Sequence, residues 1–274
     1  MLGRDEGPGL DEAQVKWPAH DRKKMEASRQ RAVPGENNDE DDEVSPEEKS
    51  GSRGERRSIR VHGRLTYMRN QDVVIGGENH TITVVEPLAG VKVEVWDEDS
   101  TYDDLLATGY SSADGYYDIT FTWDPCYFCE DNPDIYVEYV ALNGNTRIQT
   151  TVLEWTYAWY TYVVGDFTGT DLDFGFGGPG GNIGAAHLFN TVNRAMDIYS
   201  EHGFGMDQIE VQWPESSGAW YNPIIGEIHI SNGNAWYEGV VLHDLGHYWQ
   251  DVYSLSPSPD YCNGVCDDEI DNDL

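Results

Sequence analysis

The sequence predicts a multi-domain chain: a disordered N-terminal tail, an all-β sandwich, and an incomplete α+β domain built around one amphipathic helix. Three observations carry this. Residues 1–57 are charged and rich in Gly, Pro, Ser and Glu, with few aromatic or β-branched side chains, so they cannot bury enough apolar surface to offset the entropy of ordering. From Ser58 the texture changes to short runs of alternating β-formers separated by turn signals. From Ala185 the apolar residues recur at helical spacing, and two short strands separate two such stretches.

In the first folded segment, 58–175, the predicted strands start with Ile59, Val61, Leu65 and Tyr67. They continue through Val91–Trp96, Gly115–Phe121, Ile135–Val140, Arg147–Leu153 and Trp159–Val164. Ala113-Asp114-Gly115-Tyr116 predicts a two-residue hairpin, because Asp-Gly accommodates positive φ. Short strands at this spacing imply a sandwich. The run Pro87-Leu88-Ala89-Gly90-Val91-Lys92-Val93-Glu94-Val95-Trp96-Asp97, with Leu105-Leu106-Ala107-Thr108-Gly109-Tyr110 and Asp114-Gly115-Tyr116-Tyr117, resembles transthyretin-like and carboxypeptidase-regulatory-like domains. That resemblance spans about residues 58–165 and implies a spacer or docking module rather than a particular activity. Trp155, Tyr157, Trp159, Tyr160 and Tyr162 suggest either a carbohydrate-stacking platform or aromatic packing between strands and domains. The glycine-dense stretch from Phe174 reads as a connection, with 176–184 as the linker.

In the second segment, 185–254, Ala185, Leu188, Phe189, Val192, Ala195, Met196 and Tyr199 form a helical stripe that Gly203 stops. Ile209–Trp213 reads as a strand. Ile225, Ile228 and Ile230 suggest a second, with a polar outer side. A last helix follows, with Trp236, Val240, Val241, Leu245, Trp249 and Val252 at helical spacing and Asn234 as the expected N-cap. It carries His243-Asp244-Leu245-Gly246-His247. Imidazoles at i and i+4 stack on one helix face and can converge on one cation at about 2 Å. The competing reading is two ordinary helix histidines. Gly246 counts against it, because glycine inside a helix costs about 1 kcal/mol and calls for a reason such as close approach of a neighbour.

The stretch from about 182 to 254 resembles the zincin metallopeptidases, in which two helix histidines hold zinc. The acid after the first histidine, normally Glu, takes a proton from the metal-bound water. The resemblance implies His243 and His247 as Zn2+ ligands and Asp244 as the base, and Ile225, Glu227 and Ile228 as part of an edge strand that aligns a protein or peptide substrate. Asp244 is one methylene shorter than the usual Glu, so a weakly active or incomplete enzyme is expected. The alternative is a non-catalytic extracellular binding or adhesion module on a degenerate peptidase scaffold. Tyr253 stands where the metzincin subfamily has its third histidine, which leaves the gluzincin pattern, with a third ligand expected beyond Leu274.

Charge narrows the partners. The formal net charge is −33; of 50 acidic and 17 basic residues, 15 and 11 lie at or before Arg57, leaving 35 and 6 for the rest. Such a surface repels phosphate backbones and anionic lipid, so nucleic acid is not an expected partner, and a saline setting would relieve its self-repulsion. No apolar run is long enough to span a membrane. Cys126 and Cys129 form one close pair and Cys262 and Cys266 another, both in polar stretches. Two disulfides are the first expectation there, and a four-cysteine metal site the second. Oxidised cysteines place the chain outside the cell or in its envelope, although no secretion signal is visible. The acidic, cysteine-containing segment 255–274 resembles the start of an extracellular calcium-binding segment, making Ca2+ a second expected ion.

Overall fold

The computed structural model describes residues 56–99, 102–125, 132–151, 153–180 and 183–253. The expected tail, 1–57, lies outside these except for its last two residues, and Arg57 already opens the first strand. The expected disulfides fall on residues outside the described ones as well: Cys126 and Cys129 in the interval 126–131, and Cys262 and Cys266 beyond Tyr253. The acidic segment 255–274, with its expected calcium, is likewise outside them.

Among the described residues, three four-stranded sheets and two α-helices share one continuous apolar core, running from Ile59 to Tyr248. In the first sheet β1 (Arg57–Ile75) is central. Its first half pairs antiparallel with β5 (Tyr116–Trp123) and parallel with β9 (Asp171–Gly177), and its second half pairs with β2 (Glu78–Pro87). The second sheet has the order β4 (Asp104–Tyr110), β3 (Lys92–Asp97), β6 (Ile135–Val140), β8 (Ala158–Tyr160). Strict alternation explains β5, whose Tyr117, Ile119, Phe121 and Trp123 are buried while the residues between them face water. The inner faces meet at Tyr117 and Tyr139, whose hydroxyls are 3.0 Å apart.

The Asp114-Gly115 turn is not a hairpin. β4 and β5 belong to different sheets, and the turn carries the chain from one layer to the other. Gly115 has the expected positive φ, +79°. Three strands of the first two sheets, β2, β4 and β9, lie outside the expected set. β2 is exposed along most of its length, so burial imposes no alternation on it, and β9 contains the glycines that read as a linker.

The third sheet has the order β11 (Ala219–Asn222), β12 (Glu227–Ser231), β10 (Ile209–Glu215), β7 (Thr146–Gln149). β7, β10 and β12 run parallel, and β11 is antiparallel at the edge. β7 therefore leaves the sandwich to which its sequence position assigns it, and the chain then returns to the sandwich for β8 and β9. The two segments are interleaved, not consecutive. Ile148, Ile209, Val211, Ile228 and Ile230 are buried beside α1 (Ile183–Glu201) and α2 (Glu238–Tyr253). Gly203, at φ +85°, ends α1. Tyr157 ties the sheets together: its hydroxyl donates to the Trp213 carbonyl at 2.9 Å. Of the aromatic group around it, Trp159 is buried as well, so packing, not a stacking platform, explains these two rings. No helix among the described residues is long and apolar enough to cross a membrane.

One buried polar group links sandwich to helices. Tyr67 on β1 donates to Glu86 at 2.8 Å, and the His187 Nδ1 of α1 lies 3.3 Å from the same hydroxyl. Arg69 pairs with Glu86 at 2.7 Å and reaches Glu238, the first residue of α2, at 3.8 Å. The His187 ring stacks on Trp236 at 5.6 Å. Burial holds the His187 pKa below the ordinary value; the nearby Arg69 adds to this, while Glu238 and Glu86 oppose it. Between the lowered folded value and the unfolded value of about 6.5, the unfolded chain binds more protons. The His187 contribution is thus complete above about pH 6.5 and is lost as pH falls towards and through the folded pKa. Denaturant melts from pH 8 to 5 should show a shallower acid-side loss for His187→Gln than for the wild type; parallel curves would contradict this.

Candidate metal centre

One residue, Tyr237, separates α2 from a short 3-10 turn, Asn234–Trp236, whose N-cap is Gly233 without a side-chain hydrogen bond. Asn234 is not the cap, because the turn starts the chain's coiling before the α-helix does. The buried stripe of α2 is Val241, Asp244, Leu245 and Tyr248, the i, i+3, i+4, i+7 pattern of a helix packed on a sheet. An acid therefore occupies a position that packing reserves for an apolar side chain. His243 and His247 lie beside this stripe on an exposed strip of the same helix.

Their rings converge. The two Nε2 atoms are 3.1 Å apart, with ring centroids at 4.7 Å and planes at 86°. A ligand oxygen of Asp244 joins them, so that the three donor atoms all lie within 4.8 Å of one another. Among the described residues this is the one group of three or more His, Cys, Asp or Glu so arranged. Two nitrogens bound to tetrahedral zinc at about 2.0–2.1 Å would lie roughly 3.3 Å apart, close to the separation seen. Nitrogen and carboxylate donors also suit a borderline cation.

Asp244 is 4 % exposed, and its Oδ2 is fully buried with no hydrogen-bond partner among the described residues. Leaving such an atom unpaired costs on the order of 1–3 kcal/mol, which a ligand or transferable proton there would recover. Burial pushes its pKa up to about 6, against a smaller opposing pull from His243. Burial also lowers the His247 pKa, and His243 lowers it further, which favours the neutral ring that a metal requires. These residues fit a divalent cation.

The strand expected to align substrate is placed differently. Ile225 lies in the turn between β11 and β12 and is 57 % exposed. Glu227 and Ile228 are in β12, but β12 is bordered by β11 and β10 and offers no free edge. The sheet edge is one strand further out, at Ala219–Asn222. Its register is held in part by Trp220, which stacks on His229 at 3.8 Å, while His229 bonds to Glu215 at 2.9 Å. The apolar run Ile224-Ile225 concealed this, because a tight turn at Gly226, φ +73°, divides it from the strand. A Cβ at Gly246 would meet nothing within 4 Å beyond its own helix backbone, so no close neighbour among the described residues explains the glycine.

No family model matches the chain. An uncharacterised protein of Archaeoglobus fulgidus is 25 % identical over 80 residues, which are 27 % of this chain and 23 % of that protein. The match thus spans under a quarter of that relative. Among solved structures, a 9R-lipoxygenase from Cyanothece is 18 % identical, with a TM-score of 0.28 over 67 % of this chain and 28 % of that one. The plantain pollen allergen Pla l 1 is 14 % identical, with a TM-score of 0.22 over 44 % of this chain and 91 % of that one. The shaft pilin SpaA of Lactobacillus rhamnosus GG is 9 % identical, with a TM-score of 0.20 over 45 % and 51 %. Likeness of this extent assigns neither family nor activity.

Proposed function

We propose that this chain is a zinc-dependent hydrolase acting on peptide bonds, with His243 and His247 as two of the metal's protein ligands. The observation that carries this is the convergence of both Nε2 atoms on one helix, beside a buried carboxyl whose Oδ2 has no hydrogen-bond partner among the described residues. The order of elements supports it: α1, β10, the antiparallel edge β11, β12, then the histidine-bearing α2. The zincin resemblance implies helix, strand, edge strand and metal helix; here one further strand, β12, stands between the edge strand and the metal helix. Zinc, when bound, supplies Lewis acidity and lowers the pKa of a coordinated water.

The chain's own residues do the rest. His243 and His247 hold the cation through neutral rings. Asp244 accepts a proton on its carboxylate and releases it again, a role suited to a carboxyl whose pKa lies near 6, above the ordinary carboxylate range. The outer edge of β11 offers backbone N–H and C=O groups to an extended peptide. Secretion, a disulfide between Cys126 and Cys129, another between Cys262 and Cys266, and calcium at the acidic segment belong to the same proposal. All of these rest on the sequence alone.

A second reading is favoured by one feature. Asp244 is both shorter than Glu and almost wholly buried, which suits a residue that tunes a bound metal without reaching a substrate's proton. In that case the protein is a metal-holding binding module. Elemental analysis tests what both share: about one zinc per wild-type chain is expected, and loss of it in a His243→Ala/His247→Ala double variant. Equal zinc in the two proteins would overturn both. Cleavage of fluorogenic casein by the zinc-loaded wild type then selects the hydrolase.

A further inference from the structure

The solvent face of the first sheet carries a second site, unrelated to the metal helix. Three strands present outward side chains there in register: Asp118, His62 and Asp173 across one row, and Tyr116, Arg64 and Phe176 across the next. They line a depression of about 330 Å3, at the small end of the roughly 300–1,000 Å3 of ligand sites.

The aromatic wall is set by a β-bulge. The pairing of β9 with β1 shifts between His62 and Arg64, so that Phe174 and Gly175 together oppose Gly63, with Gly175 at φ +66°. In a regular strand Phe176 would share its orientation with buried Phe174, two residues earlier. The bulge turns Phe176 outward instead, where it is 76 % exposed, and bulges that re-aim one side chain are typical of functional sites. Burying this ring would be the default for a core strand; its exposure has a structural device behind it.

The polar groups identify the ligand's chemistry. The Arg64 guanidinium lies over the Tyr116 ring at 4.8 Å and the Phe176 ring at 5.9 Å. Its Nε donates to the Asp114 carbonyl at 3.0 Å, which leaves its other N–H groups without a carboxylate partner among the described residues. Arg60 is occupied: it grips Asp118 through two bonds of 2.8 Å and Asp171 at 3.1 Å. His62 lies 3.3 Å from Asp171 and 3.5 Å from Asp173. Two guanidinium groups thus face three carboxylates. An anion would meet the carboxylates on a chain already at −33, and a cation would meet the arginines. A neutral molecule rich in hydroxyls satisfies both, since each hydroxyl donates and accepts, and the C–H face of a sugar ring packs against an exposed aromatic.

We propose that this face binds neutral oligosaccharide, with Phe176 and Tyr116 as stacking rings and Arg64, Asp118 and Asp173 as hydrogen-bonding groups. A printed array of β-1,4-glucan, β-1,3-glucan, mannan, xylan and chitin fragments, beside polygalacturonate and alginate fragments, tests it with the full chain. At least one neutral series is expected to bind, with at least tenfold weaker binding by Phe176→Ala and by Arg64→Ala at unchanged melting temperature. Both side chains point outward, and Arg64→Ala gives up only the single hydrogen bond to the Asp114 carbonyl, so neither change should unfold the protein. Binding to no neutral fragment, binding to acidic fragments alone, or equal binding by the variants would overturn the proposal.

Discussion

On the proposed hydrolase reading, exchanging Asp244 for Asn is expected to lower peptide hydrolysis by roughly 10²–10⁴-fold, the usual contribution of a positioned general base, with zinc content unchanged. The amide matches the carboxyl in size and sits in the same buried place on α2, so packing against the sheet is preserved. It cannot take up a proton as a carboxylate does, however. The separation of the two readouts matters, since zinc lost together with activity would make Asp244 a ligand or a folding determinant instead of a base. Activity retained by Asp244→Asn, measured with fluorogenic casein beside zinc by atomic absorption, would remove Asp244 from the chemistry.

Gly115→Val is expected to cost stability on the order of 3 kcal/mol or more, from two strains that add. At φ +79° a residue with a Cβ enters the left-handed region, at a cost of about 1–2 kcal/mol, more for a β-branched one. The added Cβ would also lie 2.2 Å from the Leu65 carbonyl oxygen. That oxygen accepts from Leu88 N at 3.1 Å, and Leu65 N donates to Gly115 O at 2.7 Å, so the backbone cannot move aside without breaking the layer-to-layer turn. Overpacking of this kind adds about 1–3 kcal/mol. Urea denaturation should show a midpoint far below the wild type; a midpoint within error of it would mean that the turn is not a structural constraint.

These residues also show what a sequence can and cannot convey. The sandwich strands are legible wherever one face is buried, as in β5, because burial forces a period of two. β2 lies exposed on both faces, and β9 is broken by a bulge, so neither presents that period. The departure of β7 to another sheet is a matter of which strand it pairs with, and pairing partners leave no mark on local alternation. At the candidate metal centre the i, i+4 histidines are legible because helix geometry alone brings them together. The burial of Asp244 is legible in principle as well, since it falls in the stripe with Val241, Leu245 and Tyr248. The edge strand is misplaced by one because Ile224 and Ile225 look like strand residues while occupying a turn whose shape is set by Gly226.

The most direct test of zinc held by the helix histidines is X-ray absorption at the zinc edge of the zinc-loaded protein. Scattering from two imidazole rings with nitrogens at about 2.0–2.1 Å, lost in the His243→Ala/His247→Ala variant, is the predicted result. A zinc environment without imidazole, or one identical in the variant, would contradict it.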